Sequence, residues 1–274
     1  MNSHTFVFVT GLHRSGTSPL HHCLRRHPRI SGFENTGASE DEGQHLQTVL
    51  PRGGAYGGPG RFARHPDAHI TETHPLATSE TAARLFEQWS PYWDLSKPYL
   101  IEKTPITLLR TRLFQALFPD SHFVVIVRHP SVVALATYNA LASSGTKPDL
   151  TISNLIEHWL IGHERFLADV PHLRRVMVVK YEEFAARPQP TLNEIYEFLG
   201  LDSWLCGDKI EPDVNSRYLA QWQALSQDPH QQDGIEQALH LEQQVRRFGY
   251  SLKDWRLCGP LPVPGPNRSP SSTG

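Results

Sequence analysis

The sequence predicts an α/β protein, a three-layer α/β/α fold of the P-loop type with a central parallel sheet. Three observations predict it. Short apolar segments alternate with segments of helical period along most of the chain, the order that builds a parallel sheet covered by helices on both faces. The run Thr5–Thr10, TFVFVT, leads into a glycine loop, Gly11–Gly16, and then into helical spacing at Leu20, Cys23 and Leu24. The same succession of strand, polar tip and helix returns at Phe123–Val127, Arg128-His129-Pro130 and Ser131–Leu141.

Thr5–Thr10 is rich in β-branched and aromatic residues and reads as a buried strand. Gly11–Gly16 has turn composition. Thr17 and Ser18 can cap a helix, and Pro19 suits its first turn. The two glycines have the spacing of the nucleoside-triphosphate loop G-x-x-x-x-G-K-[ST], but Thr17 stands at the lysine position. Without that lysine, ATP–Mg²⁺ chemistry is disfavoured. The loop amides and the helix N-terminus still present partial positive charge to an anion. Arg14 adds a planar guanidinium suited to phosphate or sulfate oxygens.

His27-Pro28 ends this helix, and Ile30–Phe33 is expected to be a short extended piece. Residues 34–64 contain the carboxylates Glu40-Asp41-Glu42 and then Pro51–Gly60, with five glycines and two prolines. That composition is loop. The stretch is expected to be a flexible flap at a substrate site, with a solvated acidic turn as the competing reading. Ser79–Trp89 has an apolar face of Ala82, Leu85, Phe86 and Trp89 and reads as a helix. Trp89, Tyr92 and Trp93 are expected to pack in the core. Tyr99–Lys103 is a second buried strand, ended by Thr104-Pro105, and Ile106–Leu117 is expected to be one helix. Further on, Thr151–Ala168 is a long helix, Val176–Val179 a strand, and Thr191–Leu199 and Ile235–Phe248 helices. No pattern types 208–222. From Gly259 the Pro/Gly/Ser-rich end reads as a disordered tail. The expected organisation is one domain, 1–258, and a tail, 259–274.

The 274 residues are 39% hydrophobic and 20% charged, with a mean hydropathy of −0.41, in keeping with one domain. The formal charge of −2 argues against bulk nucleic-acid or membrane-surface binding, so an anion site must be a local cluster. Arg14, Lys103 and Arg128 each lie at or just past a predicted strand end. Ligands of open parallel sheets bind beyond those ends, so the three cations are expected to converge. Cys23, Cys206 and Cys258 have no disulfide or metal spacing, which points to a reducing, cytoplasmic setting. No apolar run reaches transmembrane length. The sixteen histidines are scattered and form no H-E-x-x-H, so no metal is expected. His13, inside the loop, is placed to touch a ligand.

TGLHRSGTS at Thr10–Ser18, IEKTP at Ile101–Pro105, LFPDSHFVVIVRHP at Leu117–Pro130, VVKYEEF at Val178–Phe184 and RFGY at Arg247–Tyr250 resemble the PAPS-dependent sulfotransferases. The likeness is to the branch that includes tyrosylprotein sulfotransferases and bacterial homologues. The resemblance implies a donor, 3′-phosphoadenosine-5′-phosphosulfate (PAPS), released as the 3′,5′-bisphosphate PAP. Arg14, Ser15, Gly16, Thr17 and Ser18 would hold its 5′-phosphosulfate and Arg128 its 3′-phosphate. Lys103 would steady the transferring sulfonate, and Tyr181 would lie near the adenine. The family's serine eight residues after the arginine is Ala136 here, which leaves Thr137 and Ser131 as alternatives.

Sulfonate transfer is an in-line displacement by an alcohol or phenol oxygen. It needs alignment, positive charge at the transferring oxygens and a base, with no metal. Arg14 and Lys103 would supply charge. In the resembling branch the base is a glutamate shortly after the first helix. Glu42, in Asp41-Glu-Gly-Gln-His45, is expected to be that base, with Glu34, Asp41 and His45 as alternatives. The expected acceptor is a small-molecule or glycolipid hydroxyl, and a homo-oligomer is compatible with the sequence. The competing functions are a kinase-like phosphotransferase and a non-catalytic nucleotide-binding relative.

Overall fold

The computed structural model describes residues 4–143, 149–208, 210–211, 213–228 and 232–262. Its centre is a sheet of five parallel strands, β1 (Thr5–Thr10), β2 (Ile30–Gly32), β3 (Tyr99–Lys103), β4 (His122–Val127) and β5 (Val176–Lys180). Their order is β2-β3-β1-β4-β5, so β1 lies in the middle, with Phe8 between Glu102 of β3 and Phe123 of β4.

Successive side chains of a strand point to opposite faces. Phe6, Phe8, Leu100, Phe123 and Val125 therefore build one core, and Val7, Val9, Ile101, Val124 and Ile126 the other. The second core is closed by α1 (Thr17–Arg25), α6 (Tyr181–Ala186) and α7 (Pro188–Leu199) through Leu20, Leu24, Phe184 and Ile195. The first is closed by α2 (Ser79–Trp89), α3 (Thr111–Leu117), α4 (Pro130–Ser143) and α5 (Ile152–Asp169). Helices α8 (Val214–Gln227), α9 (Gln232–Leu239) and α10 (Glu242–Arg246) add Trp222, Ile235 and Val245 to that side. Both faces are covered, so the three-layer α/β/α arrangement is the one observed. Trp89 and Trp93 are buried as expected, whereas Tyr92 is exposed.

Several elements differ from the sequence reading. The predicted helix 106–117 is two pieces: Pro105–Leu109 is a 3₁₀ turn, Arg110 leaves the helical region at φ −135°, and α3 begins at Thr111. Arg110 is turned inward, where one guanidinium nitrogen donates to the Pro51 carbonyl at 2.9 Å. The predicted helix 235–248 breaks at His240 and Leu241 into α9 and α10. The new start is pinned by Glu242, whose carboxylate accepts from Ser251 Oγ and the Leu252 amide, each at 2.7 Å. Helix α6 follows β5 directly and buries only Tyr181, Phe184 and Ala185, too short a face to show a period.

Residues 34–64 fold into short 3₁₀ turns at Ser39–Asp41, Gly43–His45, Gly53–Tyr56 and Phe62–Arg64. Phe62 and Ala63 are fully buried, and Trp89 Nε1 donates to the Gly43 carbonyl at 2.9 Å. At the other end of the chain, the Gly259 amide donates to the Gly249 carbonyl at 2.8 Å, and its own carbonyl accepts from Lys180 Nζ. Residues 263–274 of the expected tail lie outside the described residues. No helix among the described residues is long and apolar enough to cross a membrane.

Candidate active site

The loop between β1 and α1 lies at the carboxyl end of the central strand, where helix and loop amides can face a ligand. Two glycines let it pack there. A Cβ on Gly11 would fall 2.3 Å from the Ile126 carbonyl oxygen, and one on Gly16 would fall 2.4 Å from the Tyr181 ring, with φ already at +99°. Gly16 caps α1 and no side chain occupies the cap, so the helix N-terminus is open to an anion. Arg14 holds φ 68° and its side chain is exposed. Ser15 of the loop is buried, and its Oγ has no partner among the described residues. Ser18 Oγ donates to Glu40 at 3.1 Å.

Arg128, at the tip of β4, joins this loop to two other elements. It donates to the Arg14 carbonyl at 3.1 Å and to Asn215 Oδ1 of α8 at 2.9 and 2.6 Å. Its guanidinium lies 3.9 Å from the centre of the Tyr181 ring. Burial lowers its pKa, opposed by Tyr181 and Glu182. Asn215 in turn donates to Glu182, which also accepts from the His129 amide and Tyr250 OH, each at 3.0 Å. The result is a cleft of about 280 Å³ into which Arg14, Thr17, Ser18, Arg128 and Tyr181 converge.

Of the three cations expected to converge, Arg14 and Arg128 line the cleft, whereas Lys103, at the tip of β3, is buried beside it and does not. Lys103 is 1% exposed; its ammonium donates to the Glu40 carbonyl at 2.8 Å and lies 3.5 Å from Glu42 Oε1. Glu42 lines the cleft, and its other oxygen accepts from Gln44 Nε2 at 2.5 Å. Of the alternatives to Glu42, Glu34 is exposed and pairs with Arg25 at 2.8 Å, away from the cleft lining. Asp41 is committed to a turn, accepting from the Thr36 hydroxyl and from the amides of Thr36 and Asn35. Burial raises its pKa, but those hydrogen bonds outweigh burial and hold it below its ordinary value. His45 is 3.8 Å from Glu42 and does not line the cleft.

Ala136 does line the cleft, but neither alternative to it does. Thr137 borders a separate small cavity with Gly60 and His158, and Ser131 is buried. Arg217 and Tyr218 of α8 line the cleft instead. Sequence reasoning missed them because α8 has one buried residue, Trp222, and hence almost no apolar stripe. It also missed Glu40 and Glu102. The signal for Glu102 was present, a carboxylate inside an otherwise apolar strand. His13 lines the cleft as a neutral ring, its pKa pushed down to about 3 by burial and by Arg14 and Lys103. Away from the cleft, the fold brings Cys23, Cys206 and Asp208 within 4.8 Å of one another, a grouping that spacing alone concealed.

The sulfotransferase family model matches residues 7–205. Protein-tyrosine sulfotransferase 2 of Gallus gallus is 26% identical over 211 residues, 72% of this chain and 51% of that protein. The chain thus spans about half the length of that relative. A Mycobacterium tuberculosis sulfotransferase superposes with a TM-score of 0.52 at 18% identity, over 87% of this chain and 77% of that one. The sulfotransferase domain from the curacin biosynthetic pathway gives 0.50 at 16% identity, over 87% and 97%. These likenesses are of fold.

Proposed function

The chain belongs to the sulfotransferase family, whose co-substrate is PAPS, and from that premise we propose that it transfers sulfonate from PAPS to an acceptor hydroxyl. The observation that carries this reading is the placement of Arg128. It is bonded to the anion loop, stacked on Tyr181 and flanked by Arg217 in one cleft. A nucleotide with phosphates at both ends of its ribose matches cations at two places along such a cleft, with the aromatic ring between them. The open N-terminus of α1 and Arg14 suit the 5′-phosphosulfate, and Arg128 with Arg217 suits the 3′-phosphate. Arg217 then stands in for the serine that Ala136 replaces.

In the transfer, the acceptor oxygen bonds to sulfur as the bond to the bridging phosphate oxygen breaks. Lys103 is held rigid under the loop and stabilises charge developing on the leaving side. Glu42 takes the acceptor's proton; Gln44 and Lys103 hold its two oxygens, so the carboxylate is aimed before the acceptor arrives. The acceptor is a hydroxyl of a small molecule, a glycolipid or a tyrosine-containing peptide. The three cysteines are unpaired, which fits a cytoplasmic site of action.

Thermal unfolding with PAP, ADP and ATP–Mg²⁺ tests this. A ligand bound only by the folded state raises the melting temperature. PAP is expected to give the largest rise, and radiolabelled PAPS to label members of a panel of phenols, alcohols and tyrosine peptides. A larger rise with ATP–Mg²⁺ would make the protein a phosphotransferase. PAP binding without labelling across the panel would make it a non-catalytic relative.

A further inference from the structure

We propose that Glu102 is the positioning residue of the turn that bears Glu42, holding it from one face of β3 while Lys103 holds it from the other, beside a water-sized cavity that Arg110 also lines. The catalytic half of this inference rests on the reading of Glu42 as the base; the tether itself does not.

Glu102 and Lys103 are consecutive on β3, so their side chains leave on opposite faces. Lys103 takes the Glu40 carbonyl and approaches Glu42. Glu102 Oε1 accepts the Gly43 amide at 3.0 Å and the Thr104 hydroxyl. The Thr104 oxygen in turn accepts the Gln44 amide at 3.2 Å. Both amides that follow Glu42 are therefore bonded to the tip of β3. The approach is close enough that a Cβ on Gly43 would fall 2.5 Å from Glu102 Oε1. Gln44, fixed by this arrangement, also donates its side chain to Glu42 and accepts the Gly53 amide at 2.8 Å.

The other oxygen of Glu102 is buried without a partner among the described residues, and so are Nε and one terminal nitrogen of Arg110. Glu102, Thr104, Gln44 and Arg110 line one cavity of about 10 Å³. That is close to the room one water needs, and such a water requires polar partners on several sides. The unpartnered Glu102 oxygen and the two unpartnered Arg110 nitrogens belong to residues that line it and can supply them. Burial, reinforced by the charge of Glu42, raises the Glu102 pKa to about 7 against the pull of Thr104, Lys103 and the Gly43 amide. The charges that act on Glu102 are thus Glu42 on the turn and Lys103, next to it on β3 but on the opposite face; Arg110 lines the same cavity. Its ionised form accepts hydrogen bonds more strongly, so the tether tightens as pH rises through neutrality.

Amide hydrogen exchange on the full chain reads the tether without an acceptor. Glu102→Leu is expected to speed exchange at Gly43 and Gln44 about tenfold or more, the scale of a lost charge-assisted bond. Glu102→Gln keeps an oxygen toward Gly43 and should restore most of the protection. Thr104→Val should free Gln44 alone, and it decides the matter if Glu102→Leu does not fold. PAP affinity is expected to be unchanged, while kcat on an acceptor from the panel falls in the same order as protection, with KM for PAPS constant. Unaltered exchange at both amides in the variants overturns the tether. Released amides with undiminished kcat overturn its catalytic role. If Glu42→Gln keeps full activity while Glu102→Leu still releases both amides, the tether stands and Glu42 is not the base.

Discussion

Arg128 bonds the Arg14 carbonyl, Asn215 and, through its ring contact, Tyr181, so its charge is held in place before any ligand arrives. Arg128→Ala is expected to weaken PAP binding by about 1.5–3 kcal/mol, the range for hydrogen bonds to charged groups. Titration calorimetry measures this, and an unchanged affinity rejects the 3′-phosphate role. Glu102 makes a prediction of its own sign. Its folded pKa of about 7 lies above the ordinary 4.5, so the folded state binds the extra proton between those values. Its stabilising contribution is present below pH 4.5 and is lost as pH rises toward 7, by about 3 kcal/mol at most. Glu102→Gln should therefore gain stability relative to the parent between pH 5 and 8 in urea unfolding; a pH-independent difference would show that Glu102 titrates normally. At this scale the sequence exposed Arg14, Lys103 and Arg128, because charge at the end of an apolar run is visible in one dimension. Asn215, which Arg128 bonds, and Arg217, which lines the same cleft, come from α8, 87 residues further along in the case of Asn215, and no local pattern marks them.

The unit of β1, glycine loop and α1 was legible because its signals are local: a β-branched run, two glycines and a helix start within about 20 residues. Its packing was not. Gly16 is pressed against Tyr181, which begins α6 at the end of β5, two strands away from β1. Gly16→Ala is expected to strain a backbone held at φ +99° and to displace Tyr181. The cost should exceed about 1 kcal/mol in chemical unfolding, with loss of PAP binding. Retained stability and affinity would mean that the loop relaxes freely. Strands β1 and β3 and helix α2 begin and end where the sequence places them, since each has a full apolar face. Helix α3 and the break between α9 and α10 were misread because inward-turned Arg110 and the carboxylate of Glu242 end or start helices through tertiary bonds.

For the molecule as a whole, His13, His21, His129 and His158 are pushed down to about 3, and His163 to about 4, in each case chiefly by burial. Unfolded histidine binds its proton near pH 6.5, so the stability these rings contribute is present above that value and is lost as pH falls toward 3. Each should cost on the order of 1 kcal/mol or more by pH 5, opposing the single slope from Glu102. The melting temperature is expected to fall steeply from pH 7 to pH 4; a flat profile would mean that these rings are hydrated. The sequence by itself determined the parallel α/β/α architecture, the lysine-free glycine loop and the cations at its strand tips, because periodicity, glycine spacing and strand-end charge are properties of neighbours along the chain. Only the tertiary structure decided which carboxylate meets Lys103, which residues of α8 line the cleft with Ala136 and which acid bonds the turn from β3. Those are contacts between distant segments, and they exist once the sheet has set β3, β1, β4 and β5 side by side.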